Sequence, residues 1–234
     1  MNTRTKTKKI KINASDLLFL ATLVYLSQLI ENIFHDLIQW TPLIDTLPLG
    51  NVWWTLILRV LCIASWTGVI YVVVKSSKKC GYDPVEKVSG VKKLEWIAPL
   101  VITLLFCAYF VWSDGGLVVL FEKLGNMGGL VGTVSYPIFL AFQVALMVLV
   151  IALSQKAFEA IFPKAWRYIP FGGFFLGLCM TLANLISSIS VGGVNALGLI
   201  IMISIQALFG VVYVLTGKRA TLAFPFIYLM FFIL

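Results

Sequence analysis

Histidine occurs once in these 234 residues, and carboxylates only ten times. That scarcity removes most site chemistry before any motif is sought. A catalytic zinc normally takes three protein ligands, and Glu31 with His35 supplies two, with no second histidine anywhere. A serine–histidine system would also have to use His35, and no serine is set beside it by spacing. Paired carboxylates within one span, as general acid–base work in lipid requires, are missing too: Glu31 and Asp36 are five apart and point to different faces. The chain has no Walker loop, no Gly-x-Ser-x-Gly elbow and no His-Glu-x-x-His. Cys62, Cys80, Cys107 and Cys179 show no paired spacing, which argues against a disulfide framework or a zinc knuckle. No metal and no cofactor is expected.

Long hydrophilic runs are lacking as well. The widest, Lys75–Glu95, is a connector opening with a Gly81-Tyr82-Asp83-Pro84 turn, so no soluble domain fits. What fills the chain instead is seven apolar stretches. They run Leu17–Trp40, Asn51–Val74, Trp96–Trp112, Gly129–Leu153, Tyr168–Val191, Val194–Leu215 and Leu222–Leu234. Most hold the roughly 20 apolar residues that cross a hydrocarbon core about 30 Å thick. In lipid each peptide group must find its partner within the segment, and a helix provides that. The expectation is an all-α polytopic transmembrane bundle of about seven helices, one domain over residues 1–234. The last stretch, thirteen residues and about 20 Å of helix, is short for a full crossing.

Cations set the orientation. All but Arg59 and Lys123 fall before the first span or in alternate gaps: the arm 1–15, then Lys75–Lys93, Lys156–Arg167 and Lys218–Arg219. The positive-inside rule then places the N-terminus in the cytosol; the expected location is the inner (plasma) membrane of a bacterial cell. The net charge of +8 is largely this topology signal, with affinity for anionic lipid as a by-product. No segment is long enough to offer nucleic acid a basic surface. Tryptophans agree: Trp40, Trp53, Trp54, Trp112, Trp96 and Trp166 sit at span ends, and only Trp66 lies well inside.

Two polar faces interrupt the spans. Gln28, Glu31, His35 and Gln39 share one face of the first helix. Glu31 lies about 13 Å below Trp40, and Arg59 about 12 Å below Asn51 on the antiparallel second helix. Each charge alone costs on the order of 3 kcal/mol at mid-membrane, so a buried Glu31–Arg59 ion pair with His35 one turn above is expected. Thr181, Asn184 and Ser188 form a second face on the fifth span, a candidate polar groove. Gly128xxxGly132 and Gly173xxxGly177 are small-residue spacings that let helices approach closely, here read as internal packing.

The final third has a recognisable texture. A Phe171-Gly172-Gly173-Phe174-Phe175-Leu176-Gly177 helix start is followed by a Ser/Gly-rich turn. A helix ending Phe209-Gly210-Val211-Val212-Tyr213 comes next, then a basic turn and a short helix at Ala223-Phe224-Pro225-Phe226. Residues 154–234, and Gly172–Leu234 most closely, resemble the core of the CPBP family. These are the CAAX-protease and bacteriocin-processing or self-immunity membrane proteins. Active members carry a glutamate pair with a downstream arginine, a Phe-x-x-x-His and a His-x-x-x-Asn. Here Ser154 and Gln155 stand for the glutamates, Glu159 is near the arginine position, and Phe175 precedes Cys179 instead of histidine. Tyr228 and Phe232 replace the last pair. The resemblance implies a protease scaffold without its chemistry, binding a peptide, lipid or membrane-protein partner in immunity or regulation. Two other classes stay open. One is an intramembrane endopeptidase with Glu31 or Glu159 as base, and the other is a transporter or transporter subunit using Glu31, Arg59 and His35.

Overall fold

The computed structural model describes residues 12–34, 51–86, 90, 92–113, 129–191 and 195–234. Among these the protein is all-α, with seven helices and no strand. The helices are α1 (Ala14–Gln28), α2 (Asn51–Lys79), α3 (Lys93–Ser113), α4 (Gly129–Ile161), α5 (Phe171–Val191), α6 (Ala196–Leu215) and α7 (Ala220–Ile233). Helical residues resume after Leu29, so the first span reaches Phe34. Five spans are long and apolar enough to cross a membrane; α5 and α7 contribute shorter apolar segments. The chain is a polytopic membrane protein.

Several helices outrun their apolar stretches. α2 continues from Val74 through Lys75, Lys78 and Lys79, where cations complement the negative end of the helix and their stems stay in apolar surroundings. α4 adds residues 154–161 and stops short of Pro163, which disfavours helix in the residue before it. At 33 residues it is about 50 Å long.

α4 is the centre of the bundle. Two thirds of its apolar window (67%) is buried, against 11–28% for the other four long spans. α1, α2, α5, α6 and α7 all pack against it, and α3 is held by α7 and α6. From Leu146 to Leu153 every α4 side chain is buried by its neighbours.

Glycine sets how closely α5 and α6 approach. α5 and α6 meet where a side-chain carbon on Gly173 would lie 2.8 Å from the Gly210 Cα, and one on Gly210 would lie equally near the Gly173 Cα. Gly177 continues this contact against Ile203. The Gly173xxxGly177 spacing is therefore spent on packing inside the subunit.

Trp66 joins three helices. It is fully buried, its ring centroid lies 5.1 Å from that of Phe139 on α4, and its indole N–H donates to the Ser27 carbonyl at 2.8 Å. That carbonyl sits where the α1 ladder is interrupted at Leu29. The Ser27 hydroxyl donates back to the Val24 carbonyl at 2.6 Å, the local competition that loosens helices at serine.

Candidate functional site

The helix ends converge on one polar network that no local sequence pattern announces. Its centre is the last part of α4. Gln155, 1% exposed, accepts from the Gly172 N–H at 2.9 Å and donates to the Ile169 carbonyl at 3.0 Å. It thereby supplies partners to two backbone groups at the start of α5, where the first helical N–H groups lack intrahelical acceptors. Its amide also donates to Glu159 at 3.2 Å. Glu159 forms an ion pair with Lys218 in the α6–α7 turn. Ser154, beside Gln155 and fully buried, turns its hydroxyl onto the Val150 carbonyl at 2.5 Å.

Lys218 has a φ of 62°, a left-handed conformation unusual for a side chain larger than glycine, and follows Gly217 at 68°. The surroundings hold it there. The buried Tyr213 hydroxyl donates to the Lys218 carbonyl at 2.9 Å, and the Lys218 N–H closes the α6 end on the Tyr213 carbonyl at 3.0 Å. The Tyr82 and Tyr213 hydroxyls lie 3.0 Å apart, within hydrogen-bond distance. A chain of contacts thus runs from Tyr82 through Tyr213, Lys218, Glu159 and Gln155 to Gly172. It ties the α2–α3 connector, α4, α5 and the α6–α7 turn together. Nearby, Arg219 pairs with Glu95 of α3 at 3.3 Å. Described parts of three cation-rich gaps therefore share one end of the bundle.

Burial pushes the Tyr82 hydroxyl up to about 12; the Tyr213 hydrogen bond opposes the rise, and the Glu159, Asp83 and Glu86 carboxylates add to it. The sign follows directly. Below the ordinary tyrosine value near 10 both folded and unfolded chains keep the proton, and the network's full stability is present. Above it the unfolded chain ionises first, so stability falls as pH rises toward 12. Absorbance titration of the wild type minus Tyr82→Phe is expected to show a phenol ionising near 12; a difference step near 10 would contradict the burial.

At the opposite end, Arg59 donates to the Gly132 carbonyl at 3.1 Å and to the Ser135 hydroxyl at 2.6 Å, with its guanidinium 5.4 Å from the Tyr136 ring centroid. Glu31 is near enough for its charge to act on Arg59, Cys62 and Tyr136. α1, α2 and α4 thus meet at a carboxylate, a guanidinium and hydroxyls, and the Arg59 hydrogen bonds to Gly132 and Ser135 tie α2 to α4. His35 lies outside the described residues.

On the α5 face, Asn184 donates to the Met180 carbonyl at 3.0 Å and lies 3.2 Å from the Met202 sulfur, so it links α5 to α6. The Thr181 hydroxyl is buried without a hydrogen-bond partner among the described residues. The Ser188 side chain lies outside them. Tyr228 donates to the Pro137 carbonyl of α4 at 3.2 Å and stacks between Phe224 and Phe232. Cys179 is half-buried against the core.

No family model, no curated protein and no solved structure matches this chain.

The sequence singles out Glu159, and Ser154, Gln155 and Tyr213 stand in its family-like segment, but no spacing brings them together with Tyr82 and Lys218. Tyr82 and Tyr213 are 131 positions apart, and their hydroxyls carry no spacing signal. The one available hint was polar: Ser154-Gln155 and Glu159 follow directly on an unbroken apolar run, where buried side chains need partners.

Proposed function

We propose that this protein is a non-catalytic membrane protein of CPBP-like build. Its cation-rich end faces the cytosol of a bacterial plasma membrane, and it holds a peptide or a membrane-protein segment without cutting it. One observation carries the reading. Where active members of that family keep a glutamate pair, Gln155 is consumed in joining α4 to the start of α5, and Ser154 is bonded to its own helix. A general base must accept a proton near the operating pH, and neither an amide nor a hydroxyl does so. Glu159, the nearest carboxylate, is neutralised by Lys218. Glu31 and Arg59 serve in this reading as internal counter-charges that join the helices.

The test uses the full chain in liposomes with prenylated and leader peptides carrying a photo-crosslinker. Crosslinking without cleavage above that of Glu159→Gln and Glu31→Gln is expected. Cleavage by the wild type that either substitution removes would overturn the proposal and restore the protease alternative.

A further inference from the structure

α2 and α7 both pack on α4, and between them runs an apolar groove of about 280 Å³. Its walls are Ile70 and Val74 of α2 and Phe224 of α7, its floor is Val148 and Leu149 of α4, and Pro84 lines it at the connector end. A water's share of liquid volume is about 30 Å³, and a methylene is of similar size, so the groove holds on the order of nine such groups. That is the upper part of one acyl chain.

The charges beside it select the headgroup. Lys75 lies one residue past the wall residue Val74, exposed on the adjoining α2 face, with its ammonium 5.7 Å from the Tyr71 ring centroid. Lys156 stands two turns beyond Leu149 on α4, about 10 Å along the axis, with its ammonium 5.8 Å from the Tyr82 ring centroid. The neighbouring cations Lys78, Lys218 and Arg219 are paired with Asp83, Glu159 and Glu95. Among the described residues, no carboxylate pairs with Lys75 or Lys156. An apolar slot between membrane helices, with two cations unpaired by carboxylates at its cation-rich end, complements an amphiphilic anion.

We infer that this groove binds an anionic phospholipid of the leaflet at the cation-rich end, one acyl chain between α2 and α7 and the phosphate at Lys75 and Lys156. The site stands apart from the peptide-binding reading, since it lies on the other side of α7 from α3 and uses none of the residues at the family's motif positions. Such a lipid would wedge α2 against α7 and steady the α2–α3 connector that carries Tyr82.

The experiment is native mass spectrometry of the protein released from nanodiscs of equal phosphatidylglycerol and phosphatidylcholine with identical chains. Two lysines near a lipid phosphate correspond to a preference of about tenfold or more for phosphatidylglycerol. The double change Lys75→Gln, Lys156→Gln should remove the preference, and Lys75→Arg, Lys156→Arg should restore it. Ala145→Phe, which fills the groove and leaves the cations, should lower retention of both lipids. Inorganic phosphate added during release should displace nothing, because the chain supplies the apolar contact. Equal retention of the two lipids by the wild type, a preference that survives the glutamine pair, or indifference to Ala145→Phe would each overturn the site. Monodisperse elution and helical circular dichroism exclude misfolding as the cause. Peptide crosslinking reads the other proposal separately.

Discussion

Replacing Gly173 by leucine is expected to abolish the folded bundle. A first carbon at this position would lie 2.8 Å from the Gly210 Cα and 2.9 Å from its nitrogen, and both are backbone atoms of a facing helix. A side-chain obstacle can rotate away, but a backbone obstacle moves only if α5 and α6 separate. Lipid offers no hydrophobic pressure to hold two helices together, so close van der Waals contact is what this pair relies on. Even Gly173→Ala should cost about 1–3 kcal/mol, the usual range for forced overpacking. With leucine, separation of the helices also draws the Pro170–Gly172 segment away from Gln155, and the two losses compound. Gly68→Leu on α2 is the control, because nothing lies within 4 Å of the site and its surroundings are open. The yield of monodisperse protein in mild detergent, compared across the three variants, decides the matter. Equal yields for Gly173→Leu and Gly68→Leu would show that the α5–α6 contact is not tight.

Trp66→Ala should destabilise the bundle by about 3–5 kcal/mol, the range for emptying a large aromatic site. The indole is fully buried, it packs against Phe139, and its N–H satisfies the Ser27 carbonyl where the α1 ladder is interrupted. Truncation leaves a cavity among α1, α2 and α4, and a carbonyl without its donor. Trp66→Phe keeps one aromatic ring and removes the hydrogen bond with part of the indole's packing, at an expected cost of about 1–3 kcal/mol. Unfolding in mixed micelles with increasing denaturing detergent measures both. A loss for alanine no larger than that for phenylalanine would mean that the ring's packing contributes nothing.

Much of the architecture was legible in the residues. Among the described residues the apolar stretches locate each of the seven helices; the first is interrupted at Leu29, and its residues 35–40 lie outside the described ones. α2 and α4 extend past their runs because lysine stems and a buried glutamine tolerate the membrane boundary. Gly173xxxGly177 pointed to close internal packing, and Gly210 is the facing residue that the spacing alone did not name. Trp66 stood out as the interior exception among the tryptophans. Its partner is a backbone carbonyl, an atom every residue possesses, so no sequence signal could identify it. The polar network was legible only in fragments. Gln155 and Glu159 are four apart on one helix face, but Ile169, Gly172, Lys218, Tyr213 and Tyr82 come from three other segments. Arg59 illustrates the same limit: its depth could be counted from the helix rise, whereas its bonds to Gly132 and Ser135 follow from the way α2 leans on α4.

Composition along the chain, by itself, determined that these helices are apolar enough for lipid and in what order the described ones come. Hydropathy is a local, nearly additive property, so a window of some twenty residues decides whether that window leaves water. Which helix sits at the centre was decided only in three dimensions. Apolarity lets each long span sit in lipid but does not choose its neighbours; α4 is surrounded because the close approach of Gly172 to Ile151, the Trp66–Phe139 contact and the Gln155–Glu159–Lys218 connections hold particular segments against it. Partner choice inside a membrane rests on a few short-range fits between residues distant in the chain.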